Sequence, residues 1–328
     1  VRARQLLPQI EVLPRPTSED MCVGVSLFAL GFFKKLTIAD RISPIVDAIF
    51  SSPRGYGRAA LIWGVLAYTV QIWADFSGYT DMGRGAARML GIKLPENFLS
   101  PYLARTPSEF WNRWHITLSQ WIRDYIYTPL AGAGRKSPAR VFGVIVLTMS
   151  ISGFWHGAEW HFLLWGLYHG FLLVMGRFSA QSSFSEMVDK IMPDWLRASL
   201  QVGLMFVLTS FGWLIFRAQN LRSLAAYLQS LWMNTGQSLA ADDVTVVSSA
   251  VLFCLAAQAA MYYNLKMRRW IFLQAAQDLH QKLLPGGAGE SPLAPAAGFC
   301  AGMALSFIFV LTCLFRPARL SAFIYFQF

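Results

Sequence analysis

The chain has 328 residues, of which 55% are hydrophobic, 15% aromatic and only 14% charged. Water-soluble domains carry about a quarter charged residues, so this composition excludes an ordinary soluble fold and places the chain in a bilayer. A net charge of +10 would direct a soluble chain toward nucleic acid. In a membrane chain it reflects Lys and Arg held in cytoplasmic loops, and we expect no nucleic-acid partner.

The opening residues, VRARQLLPQIEVLPRP, read as a polar connector punctuated by proline, of the kind that follows a further segment. The apolar stretch 21–33 is short and stops at Lys34 and Lys35, which suggests a tilted, amphipathic or re-entrant helix. Runs long enough to cross a core of about 30 Å, roughly 20 residues each, are expected near 59–78, 141–158, 160–176, 199–216, 245–264 and 296–315. Cys22, Cys254, Cys300 and Cys313 fall in or beside apolar runs without metal or redox spacing and read as packing residues.

Polar residues at membrane depth carry the functional information, because hydrocarbon penalises each one that is not paired, hydrated or used. In QIWADFSGYTDMGRG, 71–85, Asp75, Ser77, Tyr79 and Asp81 arrive where a helix is expected to end. Asp75 and Tyr79 share a face by i, i+4 spacing. They are either a functional polar set, or a helix terminus broken by Gly78 with its carboxylates turned to water. From Arg84 to Arg140 basic residues outnumber acidic ones: Arg88, Lys93, Arg105, Arg113, Arg123, Arg135 and Lys136 against Glu96, Glu109 and Asp124. This segment is expected on the cytoplasmic face, with the acidic loop 218–244 opposite.

Within it, PSEFWNRWHITLSQWIRDYIYTPLAG, 107–132, is too polar to span and too aromatic for a free loop. Trp111, Trp114, Trp121, Tyr125 and Tyr127 alternate with Arg113, Arg123 and Asp124, the pattern of an interfacial segment. His115 belongs to neither set. Then ISGFWHGAEWHFLLWGLYHG, 151–170, embeds His156, His161 and His169 among aromatic residues. A lone buried histidine is commonly a neutral imidazole held by a backbone carbonyl. On one continuous helix His156 and His161 sit about 140° apart and His161 and His169 about 80°, which does not gather a ligand set; we expect no metal site. His280 reads as a loop residue, and LPGGAGESPLAPAAG, 284–298, as a flexible loop.

The 107–132 segment followed by SGFWHGAEWHFLLWGLYHG resembles the paired-histidine signature of the membrane-bound O-acyltransferases, and specifically their bacterial alginate O-acetylation branch. QIWADFSGYTDMGRGAARMLGIKLPENF, GWLIFRA at 212–218 and the terminal FIYFQF resemble the same branch. The resemblance implies an all-α polytopic protein, a single integral-membrane domain over 1–328 in which transmembrane helices bundle with interfacial and re-entrant ones. It also implies that helices preceding the connector in this family lie outside the chain.

By position, the family's invariant histidine falls on His156 and its second conserved polar position on His115. His169 matches a supporting position, alongside Trp155, Trp111, Trp114, Asp75, Tyr79 and Asp81. His156 is then the base that takes a hydroxyl proton, and His115 a donor to the tetrahedral oxyanion. Arg105, Arg113 and Arg123 would meet the donor's phosphates. The implied activity is transfer of an acetyl group from a cytoplasmic thioester, acetyl-CoA or another acyl thioester, with no bound cofactor. The acetyl group crosses the bacterial inner membrane to periplasmic or membrane-anchored acetyltransferase partners and an exported polysaccharide such as alginate. D-alanyl transfer from a carrier protein to teichoic acid shares the family frame. A proton-coupled transporter, with His115, His156, Asp75 and Asp81 as a relay, is the reading from a different class.

Overall fold

A computed structural model describes residues 2–132, 137–179, 191–233 and 236–267. Regular structure among them is helical, save one isolated bridge between Tyr56 and Gln237. In chain order the α-helices are α1 (Ala3–Glu11), α2 (Ser18–Phe33), α3 (Asp40–Ser51), α4 (Arg58–Met89), α5 (Pro107–Arg113), α6 (Ile116–Ile122), α7 (Thr128–Ala131), α8 (Pro138–His156), α9 (Trp160–Ser179), α10 (Asp194–Arg217), α11 (Leu221–Met233) and α12 (Ala241–Met267). Among the described residues, six stretches are long and apolar enough to cross a membrane: Ser18–Ser51, Arg58–Met89, Pro138–His156, Trp160–Ser179, Asp194–Arg217 and Ala241–Tyr263. The protein is a polytopic all-α membrane protein. The expected stretch 296–315, the loop 284–298, the FIYFQF terminus, Cys300, Cys313 and His280 lie outside the described residues.

Two differences from the sequence reading have physical causes. The helix begun at Ser18 does not stop at Lys34 and Lys35. It continues through one π-helical stretch, Lys34–Ala39, into α3, because both ammonium groups are neutralised inside the protein. α4 likewise runs unbroken through Gly78 to Met89. That glycine is a contact point rather than a terminator, as its neighbours show.

The chain divides into two compact units. The described residues of the first are 2–41, 71–96 and 259–267, and in it α2 packs against the second half of α4. Gly24 and Gly31 on α2 meet Gly85 and Gly78 on α4, so close that a Cβ on Gly31 would collide with the Gly78 carbonyl. Without a hydrophobic driving force between helices in lipid, close backbone approach at small residues is what packs them. Polar groups finish the contact. Lys34 Nζ lies 2.6 Å from Asp81 Oδ2, and Lys35 Nζ lies 2.7 Å from Asp75 Oδ1 and 2.8 Å from Asp40 Oδ1. Arg88 reaches Asp20 at 2.6 Å, and Arg84 reaches Glu96 at 3.1 Å.

The described residues of the second unit lie within 42–70 and 97–258. α8 and α9 form an antiparallel hairpin on a second glycine seam, where Gly153 abuts the Phe162 carbonyl, Gly166 the Met149 carbonyl and Gly170 the Val146 backbone. Tyr168 Oη donates to the Leu208 carbonyl at 2.8 Å, tying α9 to α10. Tyr102 Oη donates to the Thr69 carbonyl at 2.6 Å, and Ser100 Oγ to the Gln258 carbonyl at 2.9 Å, which fixes the 97–106 loop to the helices. Arg217, ending α10, reaches Asp47 at 2.6 Å with its guanidinium over the Phe50 and Tyr68 rings. These ties hold the second unit's hairpin, α10 and interfacial segment as a frame for the histidines.

Candidate active site

His115 occupies the break between α5 and α6. It is one of two non-glycine residues among those described with positive φ, at φ 42° and ψ 54°. A left-handed conformation costs an L-residue about 1–2 kcal/mol, and is kept where the surroundings over-determine it. Here Asn97 does so. Its backbone carbonyl accepts from Ile116 N–H at 3.1 Å, and its side-chain oxygen accepts from Thr117 N–H at 3.1 Å and from the Thr117 hydroxyl at 2.8 Å. Nothing in the sequence marks Asn97 as a clamp, because its partners are set only by the turn.

His156 is the last residue of α8, half-buried in an aromatic collar. Trp155, Trp165 and Phe216 stand edge-on to its ring with centroids 4.9, 5.1 and 5.1 Å away. One helical turn beyond Trp165 lies His169, 2% exposed, in contact with Trp165 at 5.0 Å and Trp111 at 5.1 Å and stacked on Phe110 at 6.1 Å. His169 Nε2 has no hydrogen-bond partner among the described residues and rests against Gly212, where any Cβ would sit 2.7 Å away. GWLIFRA thereby acquires a structural sense. Gly212 makes room for His169, Trp213 packs on Trp114 at 4.7 Å, and Phe216 closes the collar of His156.

His115 and His156 come from separate elements, and the electrostatic influence of His156 extends to His115. Burial foremost, and then the neighbourhood of His156, hold the His115 imidazolium pKa down to about 3. His115 is therefore neutral at any physiological pH, with one ring N–H to donate and one ring nitrogen to accept. A neutral imidazole at a strained turn and a second one collared by Trp155, Trp165 and Phe216 supply the groups that proton transfer needs.

Of the other expected residues, Trp111 and Trp114 join this cluster and Trp155 covers His156 with 59% of its own surface exposed. His161 is buried in α9 against Phe162. Asp75, Tyr79 and Asp81 belong to the first unit. There the two carboxylates are engaged by Lys35 and Lys34 rather than turned to water, and Tyr79 is 48% exposed. Arg113 is committed to Glu109 and to the Ser100 carbonyl, and Arg105 is exposed, its backbone N–H donating to Glu109. Arg123 lines a cavity. That cavity, about 520 Å³, lies between the 106–127 segment and the hairpin, its wall including Trp111, Thr148, Ser152 and Arg177. Arg177 escaped the sequence reading because it falls outside the basic 84–140 segment.

The pattern of the family described as membrane-bound O-acyltransferase matches residues 10–218. Among curated proteins, the probable alginate O-acetylase AlgI of Azotobacter vinelandii is 41% identical over 206 residues, covering 62% of this chain and 39% of that protein. The peptidoglycan O-acetyltransferase of Helicobacter pylori is 37% identical over 222 residues, 67% of this chain and 40% of that protein. A teichoic acid D-alanyltransferase of Streptococcus thermophilus is 31% identical over 164 residues, 46% of this chain and 39% of that protein. The matched segment thus spans about two fifths of the length of these relatives.

Proposed function

Because this chain belongs to the membrane-bound O-acyltransferase family, we propose that it carries the catalytic histidines of an O-acetyltransferase. In this reading the full-length protein moves an acetyl group from a cytoplasmic thioester, acetyl-CoA in the first instance, across the bacterial inner membrane. Partner acetyltransferases at the membrane or in the periplasm then place it on an exported polysaccharide such as alginate. The observation that carries the reading is the aromatic enclosure of His156 at the end of α8, with His115, from the turn between α5 and α6, within its electrostatic reach. Spans through the described helices, with 84–140 on the cytoplasmic side, are part of the same proposal. The stronger likeness to alginate and peptidoglycan O-acetylating proteins than to the D-alanyltransferase favours acetyl as the group moved and a glycan as its destination.

In the proposed mechanism a hydroxyl of the acceptor approaches the thioester carbonyl beside His156. The imidazole takes the hydroxyl proton as the new C–O bond forms. The carbonyl oxygen becomes an oxyanion, which the N–H of neutral His115 stabilises. Collapse breaks the C–S bond, and the thiolate leaves with the proton that His156 returns. Collar residues Trp155, Trp165 and Phe216 hold the base and exclude water, which would otherwise hydrolyse the donor.

His115→Ala tests the second role. Removal of one oxyanion donor costs on the order of 10²–10³-fold in turnover, so polymer acetylation should fall by that factor while KM for the donor stays within about twofold. Wild-type turnover in a folded His115→Ala protein would reduce His115 to a structural residue.

A further inference from the structure

α11 carries an apolar face that the protein does not cover. Its thirteen residues, LRSLAAYLQSLWM, advance about 100° each around the helix and divide into three faces. Leu224, Tyr227 and Ser230 form the buried one. Tyr227 Oη donates to the Leu61 carbonyl at 2.7 Å, while Arg58 donates from Nε to the Leu231 carbonyl at 2.8 Å and from Nη2 to the Trp232 carbonyl at 3.0 Å. The start of α4 thus grips α11 along one side and at its C-terminal end, which fixes where the other faces point. Leu221, Ala225, Leu228 and Trp232, spaced i, i+4, i+7 and i+11, fall within an arc of about 60°, and each of them is exposed. Trp232 is 85% exposed, the most of any large apolar side chain among the described residues. Beside this stripe, on the side away from Tyr227, come Arg222 and Gln229, also exposed.

The place of α11 in the chain indicates what covers the stripe. α10 and α12 flank it, and both are long and apolar enough to cross a membrane. With both crossing, residues 218–240 begin and end at the same face. α11 is about 20 Å long, too short for a hydrocarbon core of about 30 Å. Only Ala218–Asn220 separates it from α10, so it stays at the level where that span ends and hydrocarbon meets headgroups. α10 itself exposes Leu200, Leu204, Val207 and Phe211, and this lipid-facing stripe has the same spacing as the one on α11. Trp is the side chain suited to that level. An Arg next to an apolar stripe lays its stem along it and leaves its head among phosphates. One face on protein, one apolar and one polar is the division that a helix lying in the bilayer surface requires.

We propose that α11 is an in-plane anchor for the phospholipid leaflet opposite the 84–140 segment, with Leu221, Leu228 and Trp232 among the acyl chains and Arg222 at the headgroup phosphates. This rests on the spans proposed above and not on acyl transfer. The anchor follows Phe216 by a short link, so it holds against the lipid surface the end of α10 that closes the collar of His156.

Spin labels on the full-length protein, reconstituted in vesicles of phosphatidylethanolamine and phosphatidylglycerol, test the anchor. Leu221→Cys, Arg222→Cys, Ala225→Cys, Leu228→Cys, Gln229→Cys and Trp232→Cys, in a background without other reactive cysteines, place labels at exposed positions that leave the buried face intact. Collision with oxygen, which favours hydrocarbon, relative to collision with a water-soluble nickel chelate should follow the helical period of about 3.6 residues. The ratio should be several-fold higher at 221, 225, 228 and 232 than at 222 and 229. In unlabelled protein, phosphatidylcholine brominated on its acyl chains should quench the emission that Trp232→Phe removes. Nickel access at 228 and 232 equal to that at 229, or unquenched Trp232 emission, would place the stripe in water. Exclusion of both agents would place it under protein, whether of this chain, a second copy or a partner. Each of these results overturns the anchor. A label at Val207→Cys separates the anchor from the spans: oxygen access at 207 with nickel access along α11 refutes the anchor alone, and nickel access at 207 refutes the span on which it rests.

Discussion

His156→Ala in the full-length protein is expected to reduce acetylation of the polymer to background while membrane insertion and abundance stay normal. General base catalysis contributes roughly 10²–10⁴-fold, and the aromatic side chains that collar His156 offer no base in its place. Trp155, Trp165 and Phe216 are the collar neighbours of His156; none of them accepts a proton. His115, neutral and held in a strained turn by Asn97, is poised to donate rather than to move into the vacated position. Since alanine also opens a void in the collar, His156→Gln is the companion variant. It keeps the volume and can hydrogen-bond but does not act as a base, and it should be equally inactive. Normal acetyl content in either variant would remove His156 from the mechanism.

Lys35→Met is expected to be the most destabilising single change in the first unit. Lys35 Nζ serves two carboxylates, Asp40 and Asp75, each with a side chain 1% exposed. Removing one partner of a buried pair costs about 3–5 kcal/mol, because the remaining charge stays in a medium that cannot solvate it. Here two buried carboxylates would lose the cation they share, a loss that a proton or water must make up. The melting temperature of the purified protein, followed by intrinsic tryptophan fluorescence, should drop sharply. Adding Asp75→Asn to Lys35→Met should recover part of the loss. Equal melting of Lys35→Met and wild-type protein would mean that the pair is hydrated and carries no structural weight.

The helical, membrane-embedded character of the protein was legible because composition and run length report directly on the surrounding solvent. Helix ends were less so. Lys34, Lys35 and Gly78 look like terminators in one dimension, and become interior residues only when Asp40, Asp75, Asp81 and the Gly31 carbonyl arrive from other parts of the chain. His115 and His156 stood out since imidazole among aromatics is costly and rare. Their supports did not. Trp213, Phe216, Gly212 and Asn97 belong to residue types that are common in apolar helices and loops, and their roles arise from packing across elements. Arg177 was hidden for the same reason: its charge is ordinary at a helix terminus, and its place in the cavity wall is set by packing across elements. Arg113, conversely, looked available in the sequence although Glu109 lies four residues before it on α5; the loop that adds the Ser100 carbonyl has no sequence signature.

Release of CoA from acetyl-CoA tests the claim that the two histidines transfer an acyl group. Full-length protein, purified in detergent together with its acceptor protein, would be supplied with acetyl-CoA and no ion gradient, and free thiol followed over time. Acyl transfer predicts thiol release that requires the hydroxyl acceptor and disappears in His156→Gln. If no thiol forms with acceptor present, while reconstituted vesicles show His156-dependent proton or solute flux, the histidines serve a permeation path and the acyltransferase account is contradicted.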